Sequence, residues 1–160
     1  MIDIGLKIVL IFILMFIFWQ DTKERMVYWF LYLLSGIVFF VLQAHNIGYQ
    51  LSLINSGINF GFIFIIILAA GLYSGFVIKK KLSESIGIGD LFMFISLCLT
   101  FSTETFIILF VFSLFFSLLL HQYFKNRAEH QTIPLAGYMS LFFAAVYFIS
   151  FFIQPKYLFA

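Results

Sequence analysis

Charge is what this sequence has least of. Only 10% of its 160 residues are Asp, Glu, Lys or Arg, against about 25% in an ordinary soluble domain. The apolar share is 64%, aromatics reach 22% with 25 Phe among them, and mean hydropathy is +1.12. A soluble core of this size cannot hide that much apolar surface, because small domains keep much of their area in water. An ordinary soluble domain and a disordered tail are therefore excluded. So is a nucleic-acid-binding module, since a net charge of +2 is too small and too scattered to track phosphates. What remains is an integral membrane protein whose main partner is membrane lipid.

Cysteine is nearly absent as well. Cys98 alone cannot form an intrachain disulfide, a Cys-rich zinc site or an iron–sulfur cluster. Between Leu97 and Leu99 it reads as a small packing residue. Histidine adds no expected metal site, because His45, His121 and His130 lack a His, Asp or Glu partner at helical ligand spacing. A small-x-small cleavage site is also missing from the first apolar run, which starts with Asp3 and Lys7 and ends in Phe18-Trp19-Gln20. That run reads as a permanent span and not as a signal peptide.

What is present is a series of apolar runs, each near the ~20 residues that cross a bilayer as a helix. Breaks at charge and turn signals predict six spans: about Ile4 to Trp19, Met26 to Leu42, Phe60 to Ile78, Ile88 to Phe101, Thr105 to Phe124, and from Ile133-Pro134 to near Pro155. The polar stretch from Gln43 to Asn59 reads as a loop with turns or a short interfacial helix. No stretch is left over for a soluble domain, so residues 1–160 form one all-α, multi-pass membrane domain. Gly71, Ser74 and Gly75 make a small-residue face on the third span, suited to close helix packing within the chain or in a homo-oligomer.

Basic residues predict the orientation. With six spans, Lys23, Arg25, Lys79, Lys80, Lys81, Lys125 and Arg127 fall in loops on one side, and only Lys7 and Lys156 on the other. Those loops are expected in the cytoplasm and both termini outside. The run Lys79-Lys80-Lys81 reads as a topology signal that meets anionic headgroups.

The few acids near span ends are the candidate functional groups. Asp3 and Lys7 are expected at the outer edge, and Glu104 as a cap of the fifth helix beside Ser102 and Thr103. Asp21 follows the first span and Asp90 opens the fourth, both at the cytoplasmic edge. Two acids from separate helices at one depth make a candidate carboxylate pair. Asp90 is preceded by Gly87-Ile88-Gly89. One reading is a loop with helix-breaking glycines and an acid favoured by the helix dipole. The other is that Gly87 and Gly89 leave room for an extended substrate backbone beside the carboxylate.

Gly87-Ile88-Gly89-Asp90 resembles the GxGD motif of intramembrane aspartyl proteases. Asp21-Thr22-Lys23-Glu24-Arg25-Met26-Val27 is similar to the first catalytic motif of the type IV prepilin peptidase branch, an Asp followed by a basic and an apolar residue. Ile133-Pro134-Leu135-Ala136-Gly137 resembles that branch's entry to the last helix. In order and spacing the three elements look like the short form of the family, over the whole chain. Val27-Tyr28 stands where members often have an apolar residue and Pro, and Phe92 where they commonly have Lys. The presenilin-like branch is a weaker match, because Gln20 precedes Asp21 and the Pro-Ala-Leu element is not reproduced.

The resemblance implies a membrane aspartic endopeptidase of the bacterial cytoplasmic membrane, with Asp21 and Asp90 catalytic and neither metal nor cofactor needed. Its implied substrate is a prepilin-like protein whose short basic leader is cut at the cytoplasmic face. Glu24, Glu84 and Glu129 are candidate contacts for that leader, or else simple counter-charges to Arg25, Lys81 and Arg127. With one cysteine and no cysteine-bearing insert, methyltransferase activity is not expected. The competing expectation is a non-catalytic polytopic protein: a transporter subunit, an assembly factor, or a family member that binds without cutting. Carriers hold their acids near the midplane, whereas both acids here sit at one edge.

Overall fold

The computed structural model describes residues 2–74, 76, 87–124 and 133–152. Among these the chain is all-α, with six helices and no strand. In chain order they are α1 (Ile2–Glu24), α2 (Trp29–Ile47), α3 (Tyr49–Tyr73), α4 (Ile88–Leu97), α5 (Thr103–Phe124) and α6 (Leu135–Ile149). Helices α1, α2, α3 and α5 are long and apolar enough to cross a membrane. At 10 and 15 residues, α4 and α6 are shorter. The lysine run 79–81, Gly75, Glu84, Lys125, Arg127, Glu129, His130, Pro155 and Lys156 lie outside the described residues.

Outward faces carry the bulky apolar side chains, such as Phe12, Phe64 and Phe115, while serines and amides line the interior. This inversion corrects the reading of Gln43 to Asn59 as a loop. Helix α2 runs on to Ile47 and α3 starts at Tyr49, with only Gly48 between them in the left-handed region at φ 87°. Gln43, Ser52, Ser56 and Asn59 are all buried. On α3 the last three fall at i, i+4 and i+7, one helical face. Their polarity marks the side turned to the protein and not a break in the helix.

The fourth predicted span is shorter than expected. Helix α4 stops at Leu97, and residues 98–102 turn inside the bundle with Thr100 and Phe101 fully buried. Irregular backbone at membrane depth survives only where protein satisfies its polar groups. Asn59 does this: its Nδ2 donates to the carbonyls of Cys98 and Phe101, each at 3.1 Å. The Cys98 thiol is buried and donates to the Phe94 carbonyl at 3.2 Å, in keeping with a packing role.

Helix α6 is the central element, packed on α1, α5 and α4. Ala136 to Ser140 in its first turns are buried, together with Phe143, Ala144 and Tyr147. Lys7, expected at the outer edge where a charge costs little, is buried within the bundle. It is 5% exposed, donates to the Ser150 carbonyl at 3.2 Å, and lies 5.6 Å from the Phe151 ring. A cation there meets the negative end of α6. At the same end of the bundle, His45 pairs with Asp3 at 3.0 Å.

Candidate active site

The opposite end of the bundle gathers the termini of α1, α4 and α6. Helix α6 begins without a capping side chain, since its N-cap is Pro134. The first N–H groups of any helix lack partners within the helix. Here the earliest such bond of α6 is Tyr138 N–H to the Pro134 carbonyl at 3.0 Å, so Ala136 and Gly137 need outside acceptors. Two acids supply them. Asp90 Oδ1 accepts from the Ala136 N–H at 2.9 Å, and Asp21 Oδ2 from the Gly137 N–H at 2.6 Å.

Residues 21 and 90, on different helices, thus end on adjacent peptide N–H groups. Peptide geometry then puts the two bound oxygens within about 8 Å of each other. Both aspartates are half-buried. The positive end of α6 faces them, as helix N-termini face anions generally. A Cβ on Gly137 would lie 2.9 Å from Asp21 Oδ2 and 3.0 Å from Asp21 Cβ. Only glycine lets the first helix come this close.

The GxGD segment has its own logic. Gly87 is the extended N-cap of α4 (φ −67°, ψ 144°), and Asp90 is the third helical residue. An acid at that position reaches back to the N-cap N–H, and Asp90 does so toward Gly87. A Cβ on Gly87 would meet Asp90 Oδ2 at 3.0 Å, and one on Gly89 would meet the Tyr32 hydroxyl at 3.1 Å. The room beside each glycine is therefore taken by Asp90 itself and by the Tyr32 phenol.

A cation completes the set. Helix α1 ends because Arg25 adopts φ 56°, a left-handed conformation that turns the chain back toward α2. Arg25 then acts electrostatically on Asp21, Asp90 and Tyr138. The site therefore has a positive charge within electrostatic reach, although position 92, two residues after Asp90, is Phe. Glu24, the last residue of α1, is exposed; Glu84 lies outside the described residues. No group of three or more His, Cys, Asp or Glu among the described residues is arranged to hold a metal.

Three contributors escaped sequence reasoning: the N–H groups of Ala136 and Gly137, the reach of Arg25, and Tyr32. The first had a signal in Pro134, which starts a helix and cannot cap it. Tyr32 had none, because one tyrosine in an apolar span carries no pattern. Compared with protein-family models, curated proteins and solved structures, the chain matches none.

Proposed function

We propose that this protein is a membrane aspartic endopeptidase of the prepilin peptidase type, with Asp21 and Asp90 as its catalytic pair. One observation carries the reading: two acids far apart in sequence, from separate helices, are held on the adjacent N–H groups of Ala136 and Gly137. The sequence resemblance at Asp21, at Gly87 to Asp90 and at Ile133 to Gly137 supports it, because those three segments are the ones that meet. In this reading the pair faces the cytoplasm, and the substrate is a prepilin-like protein with a basic leader before an apolar helix.

In the proposed cycle the two carboxyl groups come together over the substrate and its water, lose their protons in two separate steps and hold one proton between them. The ionised member takes a proton from a water, whose oxygen adds to the scissile carbonyl carbon. The protonated member hydrogen-bonds the carbonyl oxygen. Collapse of the tetrahedral intermediate breaks the C–N bond, and the amine leaves with a proton from the pair. Because the pair is symmetric in this cycle, neither aspartate has a permanent role as acid or base. The backbone donors of α6 fix one oxygen of each group; the second oxygen of Asp21 is left for water and substrate, and that of Asp90 lies beside Gly87.

The same geometry serves a purely structural reading, in which both acids only cap α6. Asp21→Asn and Asp90→Asn separate the two, since an amide oxygen still accepts from the backbone but carries no exchangeable acid proton. The substrate probe is a reporter with a short basic leader, an apolar helix and a C-terminal tag, mixed with the purified protein in proteoliposomes. The expected outcome is cleavage by the native chain, loss of at least about 1000-fold in either variant, and unchanged thermal unfolding. Cleavage that survives in both variants removes the pair from the reaction.

A further inference from the structure

Tyr32 sits in the second turn of α2, 2% exposed, and its hydroxyl has no hydrogen-bond partner among the described residues. A buried hydroxyl is nearly always paired, so an orphan needs an explanation. Its ring stacks on Phe92 at 6.1 Å with an interplanar angle of 20°. The hydroxyl stands over Gly89, where even a methyl group would touch it at 3.1 Å. It is within electrostatic reach of both Asp21 and Asp90. Helices α2 and α4 are held in this register one level deeper, where a Cβ on Gly36 would meet Leu99 Cδ1 at 3.3 Å and Ser96 Cβ at 3.5 Å. The phenol is therefore placed by a rigid pair of helices and not by a loop.

We propose that Tyr32 is a third catalytic residue, whose hydroxyl donates a hydrogen bond to the scissile carbonyl oxygen of the bound polypeptide. The inference rests on the endopeptidase reading above. Each carboxylate already has one oxygen on the α6 backbone, and neither accepts from Tyr32. The tyrosine O–H is left as a donor beside Gly89, next to Asp90 in the chain, with no acceptor among the described residues. As water adds, negative charge grows on the carbonyl oxygen, and a preorganised donor in a water-poor site stabilises that charge. Tyr32 keeps its proton throughout; the protons that move belong to the water and to the aspartate pair. Phe92 becomes intelligible as the platform for the phenol.

The test uses the reporter described above and the variant Tyr32→Phe, which keeps the ring over Gly89 and against Phe92 and removes one oxygen. The expected result is a fall in kcat of about 100-fold, the scale for loss of one such donor, with KM and the shape of the pH profile unchanged and with native thermal unfolding. Undiminished kcat in Tyr32→Phe beside an active native chain overturns the inference and leaves the endopeptidase reading intact. A shifted limb of the pH profile overturns it too, because the hydroxyl would then be acting on the carboxylates. Loss of the fold in Tyr32→Phe makes the hydroxyl structural and has the same consequence. A native chain that leaves the reporter whole overturns the endopeptidase reading itself, and the Tyr32 role falls with it.

Discussion

Gly137 is where the fold and the candidate chemistry depend on a single atom that is absent. Its N–H holds Asp21, and its missing side chain admits that carboxylate to 2.6 Å. Gly137→Ala puts a methyl group 2.9 Å from Asp21 Oδ2, closer than real Cβ contacts. Alanine is otherwise the better helix former, so any penalty comes from the clash. The expected outcome is a loss of about 1–3 kcal/mol in unfolding free energy, the range for overpacking, together with loss of reporter cleavage. A detergent unfolding titration and the cleavage assay check the two halves. At Arg25 the backbone, not the side chain, is the unusual feature. A left-handed non-glycine residue costs about 1–2 kcal/mol, and the turn it makes leaves Arg25 within electrostatic reach of both acids.

Among the elements, α4 and α6 are too short to cross a bilayer unaided and depend on their neighbours. The end of α4 is maintained by Asn59 of α3, which serves two carbonyls at once. Asn59→Leu strips both, and each orphaned buried group costs about 1–3 kcal/mol. Thermal unfolding in detergent is expected to fall accordingly, although the substitution makes the span more hydrophobic. Helix α6 is tied to α1 at both ends, by Asp21 to Gly137 and by Lys7 to Ser150. At 1.5 Å per residue the two ties lie about 20 Å apart on either helix, as antiparallel neighbours require. Lys7→Met removes the far tie and is expected to cost about 1 kcal/mol of stability while leaving cleavage unchanged. The same unfolding and reporter measurements decide it.

For the whole molecule, alternation of the helices collects residues 21, 90, 136 and 137 at one end and pairs such as Asp3 with His45 at the other. The proposed function requires the first end to face the cytoplasm, the side that the count of basic residues in the sequence favours. Single-cysteine labelling tests this cleanly, because the native thiol of Cys98 is fully buried. An exposed Lys23→Cys is expected to react with a membrane-impermeant maleimide only from the cytoplasmic side. An exposed Tyr49→Cys, just after the α2–α3 turn, is expected to react only from the outside. Labelling of both from one side would break the alternation on which the reading of the site depends.

Much of this was legible in one sequence. Scarce charge and long apolar runs determine a helical membrane bundle, because in lipid a helix is one of the few ways to satisfy every backbone group. The two candidate acids were legible too, because an acid stands out against apolar spans and a Gly-x-Gly-Asp start is short-range. Other features depend on which face of a helix meets which neighbour. Buried polar side chains at Gln43, Ser56 and Asn59 look like loop residues in a linear string, and only packing shows that they face inward. Lys7 looks like an edge charge until α6 ends beside it. That Ala136 and Gly137 bind the two acids and that the Tyr32 hydroxyl stands over Gly89 are contacts across 46 to 116 residues of chain or between separate helices. Local propensity has no term for such distances, so the tertiary structure alone decided them.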